Sequence, residues 1–213
     1  MSLASFDHNM LPNTLENEEA YDFYDASKSP FRTYGLMKDT DGIFRRIPDG
    51  VAKTVSEGVR YTNEYTAGGR FVFRTNAKKL AIKTSMPRME FQRVVNFMNC
   101  SGVDLYKYEN GKQTLLRSIV PDADITTGGF SAEADLYDDT EKDIVLYTSC
   151  HATLKDIFIG VPKGCFIREA ENDYSHKRRL VIGITRFKEA FLVHNCTKNL
   201  DIRQDNLRFC CLF

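Results

Sequence analysis

The stretch that decides the fold is Gly102-Val-Asp-Leu-Tyr-Lys-Tyr108, in which alternating residues follow a glycine. Successive side chains of a β-strand point to opposite faces of its sheet. We therefore expect Asp104, Tyr106 and Tyr108 on one face and the residues between them on the other. One face of this strand would then carry a carboxylate beside two phenol rings.

Turn signals near this strand indicate antiparallel pairing. Asn110-Gly111 follows it, and Asn-Gly is the strongest short signal for a two-residue hairpin. The strand at 104–108 is therefore expected to pair with the segment at 114–120. Asn76-Ala-Lys78 is interpreted in the same way, as a hairpin connection between the strand-like segments on either side of it.

Short strand-like segments recur along most of the chain. Their spacing of about 8 to 12 residues is typical of a β-sandwich rather than of alternating strands and helices. Val51–Tyr61 is ambiguous, because its valines recur every four residues as in a short helix while its end is equally strand-like. The strand-like segments are 70–75, 79–84, 104–108, 114–120, 130–137, 142–148 and 154–161.

Composition limits the classes of function. Of 213 residues, 42% are hydrophobic and 27% are charged, which is typical of a chain with a sizeable core. Basic and acidic residues are equal at 29 each, so no overall field favours nucleic acid or an anionic membrane. Without a visible leader or spanning segment, we expect a cytoplasmic protein. The six cysteines lack metal-ligand spacing, so free thiols are expected, with no metal and no cofactor.

Five stretches of the chain, in order, resemble a known family. Gly102-Val-Asp-Leu-Tyr106 matches the GxDLY motif of the N-terminal domain found in front of SGNH-type esterases, and the resemblance covers roughly residues 22–182. It implies a jelly-roll-like β-sandwich, a strand in the second half of Val51–Tyr61, and a hydrolase domain as packing partner. The four preceding stretches are Ser29-Pro-Phe-Arg-Thr-Tyr-Gly-Leu36, Phe44-Arg-Arg-Ile-Pro48, Val55-Ser-Glu-Gly-Val59 and Thr66-Ala-Gly-Gly-Arg-Phe-Val-Phe-Arg-Thr75.

The catalytic residues of such an esterase are not matched. The chemistry needs a nucleophilic serine, oxyanion donors and an Asp-x-x-His pair. Asp173-Tyr-Ser-His176 has that spacing, but it precedes the strand-like 178–183, whereas the family has its pair at the far end of the hydrolase domain. After Gly183 the family continues into Gly-x-Ser-Ile-Thr, but this chain reads Ile184-Thr-Arg-Phe-Lys188. Thr185 has no evident base, so we expect no catalytic residues.

The expected organisation has four parts. An acidic lead-in, 1–28, precedes the β-sandwich, 29–170. A linker with the remnant of a first hydrolase strand, 171–185, leads into a divergent tail, 186–213, with three cysteines and neither Gly nor Pro. We interpret the tail as a short C-terminal extension that follows a frameshift or premature end in an esterase gene. The alternative is a stand-alone protein whose tail packs on the sandwich.

Candidate binding residues lie in the motif and in the first matched stretch. Aromatic rings stack on pyranose faces and carboxylates accept hydrogen bonds from sugar hydroxyls. The alternative for Asp104 is a structural ion pair with Arg70 or Arg74. We predict a non-catalytic accessory domain of a carbohydrate esterase, or alternatively a stand-alone carbohydrate-binding or protein-interaction module. The candidate residues are Gly102, Asp104, Leu105, Tyr106, Tyr108, Arg32 and Tyr34.

Overall fold

A computed structural model of the chain describes residues 14–90, 100–121 and 128–171. These residues form twelve strands, two α-helices and a 3₁₀ turn at Glu18–Ala20. The helices are α1 (Asp49–Val55) and α2 (Glu57–Asn63). The strands are β1 (Tyr21–Asp25), β2 (Arg32–Tyr34), β3 (Met37–Lys38), β4 (Phe44–Arg45), β5 (Arg70–Thr75), β6 (Lys79–Ser85), β7 (Val103–Glu109), β8 (Lys112–Ile119), β9 (Ser131–Asp135), β10 (Lys142–Tyr147), β11 (Asp156–Pro162) and β12 (Ile167–Arg168).

The strands form two antiparallel sheets and one small pair. The smaller sheet has the order β1-β11-β6-β9, and the larger has β12-β5-β10-β7-β8, with β2 also paired to β5. β3 and β4 pair separately. From β8 to β12 successive strands alternate between the two sheets, so the chain crosses repeatedly from one sheet to the other. The predicted jelly-roll-like antiparallel sandwich is confirmed.

The hydrophobic core lies between the two sheets. Phe71 and Phe73 point inward from β5 with no exposed surface, and Ile82 does the same from β6. Edge-to-face ring contacts extend this core to the connecting segments. The Phe31 and Phe73 centroids are 5.2 Å apart, and those of Phe44 and Phe71 are 5.5 Å apart. Such ring pairs add a geometric preference to the burial of apolar surface.

The predicted hairpin at Asn110-Gly111 is confirmed. It joins β7 to β8 with φ angles of 52° and 76°, the positive values that the favoured two-residue turn requires. The register shifts between Leu105 and Tyr106, which lie opposite Arg117 and Leu115. Leu116 is therefore the extra residue of a β-bulge in β8.

The hairpin predicted at Asn76-Ala-Lys78 is wrong, because β5 belongs to the larger sheet and β6 to the smaller. This connection crosses between the sheets. Ala77 is fully buried, and the backbone N–H of Phe166 donates to Asn76 Oδ1 at 3.1 Å. The segment is thus held by core packing and by the entry to β12, whereas a hairpin loop would be exposed to solvent.

The strand expected in the second half of Val51–Tyr61 is also wrong, because this segment contains α1 and α2. Ser56 separates them and caps α2, accepting a hydrogen bond from the Val59 N–H at 3.1 Å. Val51 and Val55 are 52% and 57% exposed, so the valine repeat does not mark a core-facing surface. No helix among the described residues is long and apolar enough to cross a membrane.

The first part of the predicted lead-in lies outside the described residues, and its second part belongs to the sandwich. Tyr21–Asp25, in the segment assigned to the lead-in, forms edge strand β1, and Tyr21 O–H donates to Glu133 Oε2 at 2.7 Å. The extension, with Asp173–His176 and Thr185, lies outside the described residues. Of the cysteines in the described ranges, Cys100 is buried, Cys150 and Cys165 are half-buried, and all three are free thiols.

Candidate functional site: the tyrosine face

Cross-strand register brings the predicted binding residues onto the outer face of the larger sheet. Directly opposed residues of an antiparallel pair share a face. Tyr34 lies opposite Arg70, Arg70 opposite Tyr147, and Tyr147 opposite Asp104. Asp104 lies opposite Ser118, which completes a row across five strands.

Two further rows lie beside the first. The middle row runs from Arg32 through Val72, Val145 and Tyr106 to Leu115, and the third from Arg168 through Arg74, Asp143 and Tyr108 to Gln113. The outer face therefore brings together Asp104, Tyr106, Tyr108, Arg32 and Tyr34. We call the aromatic part of it the tyrosine face, defined by Tyr34, Tyr106, Tyr108, Tyr147 and Arg70.

Ring and cation contacts organise the tyrosine face. The Tyr106 and Tyr147 rings meet edge to face, with centroids 5.3 Å apart and planes at 77°. The Arg70 guanidinium lies 5.7 Å from the centroids of both Tyr34 and Tyr147, within the range of cation–π attraction. Tyr147 O–H donates to Gln113 Oε1 at 2.9 Å. These contacts hold the rings of Tyr34, Tyr106 and Tyr147 in defined positions.

Beneath these rings the outer face is apolar. Val72 and Val145 are 2% and 0% exposed and cluster with Tyr106 and Ala170. An antiparallel sheet with one solvated face normally alternates apolar and polar residues. β10 instead has the uninterrupted apolar run Ile144–Tyr147, so both of its faces are covered by side chains.

The remaining motif residues have different surroundings. Asp104 accepts a hydrogen bond from Ser118 O–H at 2.5 Å. Within the described ranges no arginine pairs with Asp104, so the alternative of a structural ion pair with Arg70 or Arg74 is wrong. The side chain of Leu105 is fully buried in the core, and Gly102 is buried just before β7. Neither Leu105 nor Gly102 contributes to the tyrosine face.

The last described residues, Glu169, Ala170 and Glu171, are fixed to the same outer face. We call the group that holds them the exit clamp. It consists of the pair of Arg32 with Glu169, the buried Ala170, and the cluster of Arg74, Asp143 and Glu171. Arg32 Nε donates to Glu169 Oε1 at 2.8 Å, and Ala170 packs with the two valines. The Glu171 N–H donates to Asp143 Oδ1 at 3.3 Å, and Arg74 Nη1 lies 2.9 Å from Glu171 Oε2. Three consecutive residues are thereby held above the sheet.

The charge of the exit clamp is stabilised locally. Burial alone would lower the pKa of Arg74, but its hydrogen bond to Glu141 and the charges of Asp143 and Glu171 outweigh burial and raise it. Arg74 Nη1 lies 3.2 Å from Asp143 Oδ1, and the Asp143 side chain has no exposed surface. The guanidinium therefore stays charged and neutralises a carboxylate that solvent does not reach.

A second polar cluster lies near α2. The Arg88 guanidinium stacks on Tyr61 and Tyr65, at 4.1 Å and 5.0 Å from the ring centroids. Glu64 bridges Arg88 and Arg45 at 3.2 Å and 3.1 Å. The buried Tyr65 hydroxyl has no hydrogen-bond partner among the described residues, and burial raises the pKa of this phenol. No three His, Cys, Asp or Glu side chains in the described ranges form a possible metal site.

Sequence reasoning missed part of the tyrosine face. Arg70 and Tyr147 were assigned to strands but not to the site, because only cross-strand pairing shows that they lie between Tyr34 and Asp104. A usable signal was present in β10, where an apolar run replaces alternation. Such a run indicates a strand with two covered faces.

Comparison with known proteins gives the family. The family model described as GxDLY, the N-terminus of SGNH-hydrolase-type esterases, matches residues 21–167. That match begins at the first residue of β1 and ends at the first residue of β12. No protein with a curated description matches the sequence.

Two solved structures share the fold. A GDSL-like lipase from Bacteroides ovatus is 24% identical, with a TM-score of 0.60 over 71% of this chain and 44% of its own. The salicylyl-acyltransferase SsfX3 from a tetracycline biosynthetic pathway is 15% identical, with a TM-score of 0.53 over 74% of this chain and 44% of its own. The matched part is thus less than half of either protein. From the family match over its sandwich, the chain belongs to the GxDLY family, the N-terminal domain of SGNH-hydrolase-type esterases.

Proposed function

We propose that this chain acts as a non-catalytic accessory domain of an SGNH-type esterase that acts on carbohydrate esters. The observation that carries the proposal is the extent of the family match, which runs from β1 to β12 and so coincides with the sandwich. The family is defined as the part that precedes the esterase domain. In this reading the sandwich supports and orients a hydrolase domain, which would supply the acyl-enzyme chemistry.

The experiment is a test for serine-esterase chemistry in the purified full chain. We expect no turnover of p-nitrophenyl acetate and no labelling by a fluorophosphonate, with an active serine esterase as positive control. Turnover that disappears in Thr185→Ala or His176→Ala would overturn the non-catalytic role, because it would assign a nucleophile or base to this chain.

A second candidate function is sugar binding by the tyrosine face. What favours it is the combination of the half-buried phenol rings of Tyr34, Tyr108 and Tyr147 with the Asp104 carboxylate and the Arg70 guanidinium on one surface. Rings of this kind stack on pyranose faces. The carboxylate accepts hydrogen bonds from sugar hydroxyls, and the guanidinium donates hydrogen bonds to them.

Titration with soluble acetylated polysaccharides tests this second function. Saturable binding should weaken at least about tenfold, a loss of about 1.4 kcal/mol or more, in Tyr106→Ala, which removes a ring of the face, or in Asp104→Ala, which removes a hydrogen-bond acceptor. Tyr137→Ala is the matched control, since Tyr137 is 62% exposed and lies outside the tyrosine face. An equal loss of affinity in Tyr137→Ala, or no binding by the wild type, would contradict sugar recognition by the tyrosine face.

A further inference from the structure

The exit clamp determines where the chain leaves the sandwich. β5 pairs with β10 along its whole length, so its other edge must take both β12 and β2. β12 lies opposite Thr75 and Arg74, and β2 begins opposite Val72. The edge is therefore already occupied beyond Arg168, and the chain cannot continue as a strand there.

The chain instead crosses onto the outer face. Ala170 is buried in one apolar cluster with Val72 and Val145, and the Glu171 N–H reaches Asp143 on β10, one strand further into the sheet. Asp143 lies directly opposite Tyr108. Adjacent strands are about 4.8 Å apart, so Glu171 ends the described chain within about two strand spacings of Tyr108.

The composition of the tyrosine face is that of a protein interface. Tyr and Arg are the residues most enriched at the centres of such interfaces, where they provide large, ordered contact surfaces. Leu115, in the row of Tyr106, is a 46% exposed hydrophobic residue on the same face. The position of Glu171 supplies the occupant, because whatever follows it in the chain starts beside this surface.

We propose that the tyrosine face is the docking surface for the segment that follows Glu171, residues 172–213 of this chain. This rests on the proposed function, in which that position belongs to the start of the hydrolase domain. The exit clamp orients the segment, and the tyrosine rings with Arg70 provide the contact. A protein occupant from the same chain is favoured over a free sugar because it is delivered to the face covalently, at high effective concentration.

Photocrosslinking in the full chain tests this docking. p-Benzoylphenylalanine is placed at position 34 in place of Tyr34, which lies at the end of the face remote from Asp143. Tyr147 lies in the row of Tyr34 and is four residues, or about 13 Å, from Asp143 along β10. A cross-link from position 34 to a peptide beyond Glu171 therefore requires that peptide to lie along the face. We expect an intramolecular cross-link to the tryptic peptide 180–186. A probe at Tyr147, which lies in the same row as Tyr34 and as far along β10 from Asp143, serves if the variant at position 34 does not fold.

The matched control places the same probe at Phe158, which is 38% exposed on the outer face of the smaller sheet. Equal yields from positions 34 and 158, no link to 180–186, or links only to a second copy would each overturn the proposal. Glu171→Lys should lower the yield from position 34 about threefold, the size expected for one exposed ion pair. Glu57→Lys, the same charge change on α2, should leave it unchanged. Esterase activity would refute the accessory role without altering this cross-linking pattern.

Discussion

Arg74 and Asp143 face each other on β5 and β10, with Arg74 Nη1 3.2 Å from Asp143 Oδ1. The arginine side chain is 17% exposed and the aspartate side chain is not exposed at all. The pair also holds Glu171, which contacts both residues. A guanidinium thus faces a buried carboxylate, and both groups contact the residue at which the chain leaves the sandwich.

Removing that guanidinium should destabilise the sandwich strongly. Arg74→Ala removes the guanidinium that faces the buried Asp143 carboxylate, and we expect a loss of about 3 kcal/mol in the free energy of unfolding. Urea denaturation measures it. Arg168→Ala is the control, because Arg168 lies opposite Arg74 but is 63% exposed, and it should cost under about 0.5 kcal/mol. Similar costs for the two variants would contradict the assignment.

Adjacent glycines provide a test of backbone packing before β9. A Cβ at Gly129 would lie 2.0 Å from the Thr84 carbonyl oxygen, and the φ angle there is +102°. Gly129→Ala should therefore cost about 3 kcal/mol or more, as a clash added to strain. At Gly128 the φ angle is +93° and no atom lies within 4 Å of an added Cβ. Gly128→Ala should therefore lower the free energy of unfolding by only about 1–2 kcal/mol. Thermal unfolding of both variants distinguishes the two, and an equal loss would argue against the clash.

The Tyr65 hydroxyl should be dispensable. It is buried and has no hydrogen-bond partner in the described part of the chain, so it loses hydration without compensation. Tyr65→Phe should raise the free energy of unfolding by about 1 kcal/mol. Tyr147→Phe should instead lower it by about 1 kcal/mol, because the Tyr147 hydroxyl donates to Gln113. Destabilisation by Tyr65→Phe in urea titrations would indicate that the hydroxyl is satisfied in solution.

The free energy of unfolding should decrease in acid, because Asp41 has a lowered pKa in the folded chain. Hydrogen bonds from Arg45, both at 2.6 Å, together with the Ile43 N–H, hold the pKa of Asp41 at about 2, below its ordinary 3.8. Between these values the unfolded chain binds more protons, so the free energy of unfolding decreases as pH falls from about 4 towards 2.

The effect should stay at or below about 1 kcal/mol, because the Asp41 side chain is 51% exposed and solvent screens the pair. Denaturation at several pH values, compared between wild type and Asp41→Asn, isolates this contribution from that of Asp138, whose pKa is also lowered. If both proteins lose stability in parallel over this range, Asp41 is not responsible.

Local patterns predicted most strands and part of the candidate site. Alternation alone placed Asp104, Tyr106 and Tyr108 on one face, because the direction of a side chain in a strand depends only on its parity. The Asn110-Gly111 turn was also predictable, since its positive φ angles suit those residues. Arg32 and Tyr34 came from family resemblance and lie on the same outer face.

Predictions failed where a local signal had more than one structural solution. The segment Asn76–Lys78 has the residues of a hairpin loop, but burial of Ala77 makes it a crossing between sheets. The segment Val51–Tyr61 fits a strand at its end, but the Ser56 cap starts a second helix there. Neither choice can be read from propensity, because packing against distant strands decides it.

The sequence by itself determined the antiparallel sandwich, the turn that joins β7 to β8, and the face of β7 that carries the carboxylate and phenols. Only the tertiary structure decided which distant residues share that face and where the chain leaves it. Register between β2, β5, β10 and β7 brings Tyr34, Arg70 and Tyr147 into line with Asp104. Occupation of the β5 edge by β2 sends Glu171 over Asp143. Periodicity is a property of neighbouring residues, whereas register and steric exclusion arise only when remote segments compete for the same edge.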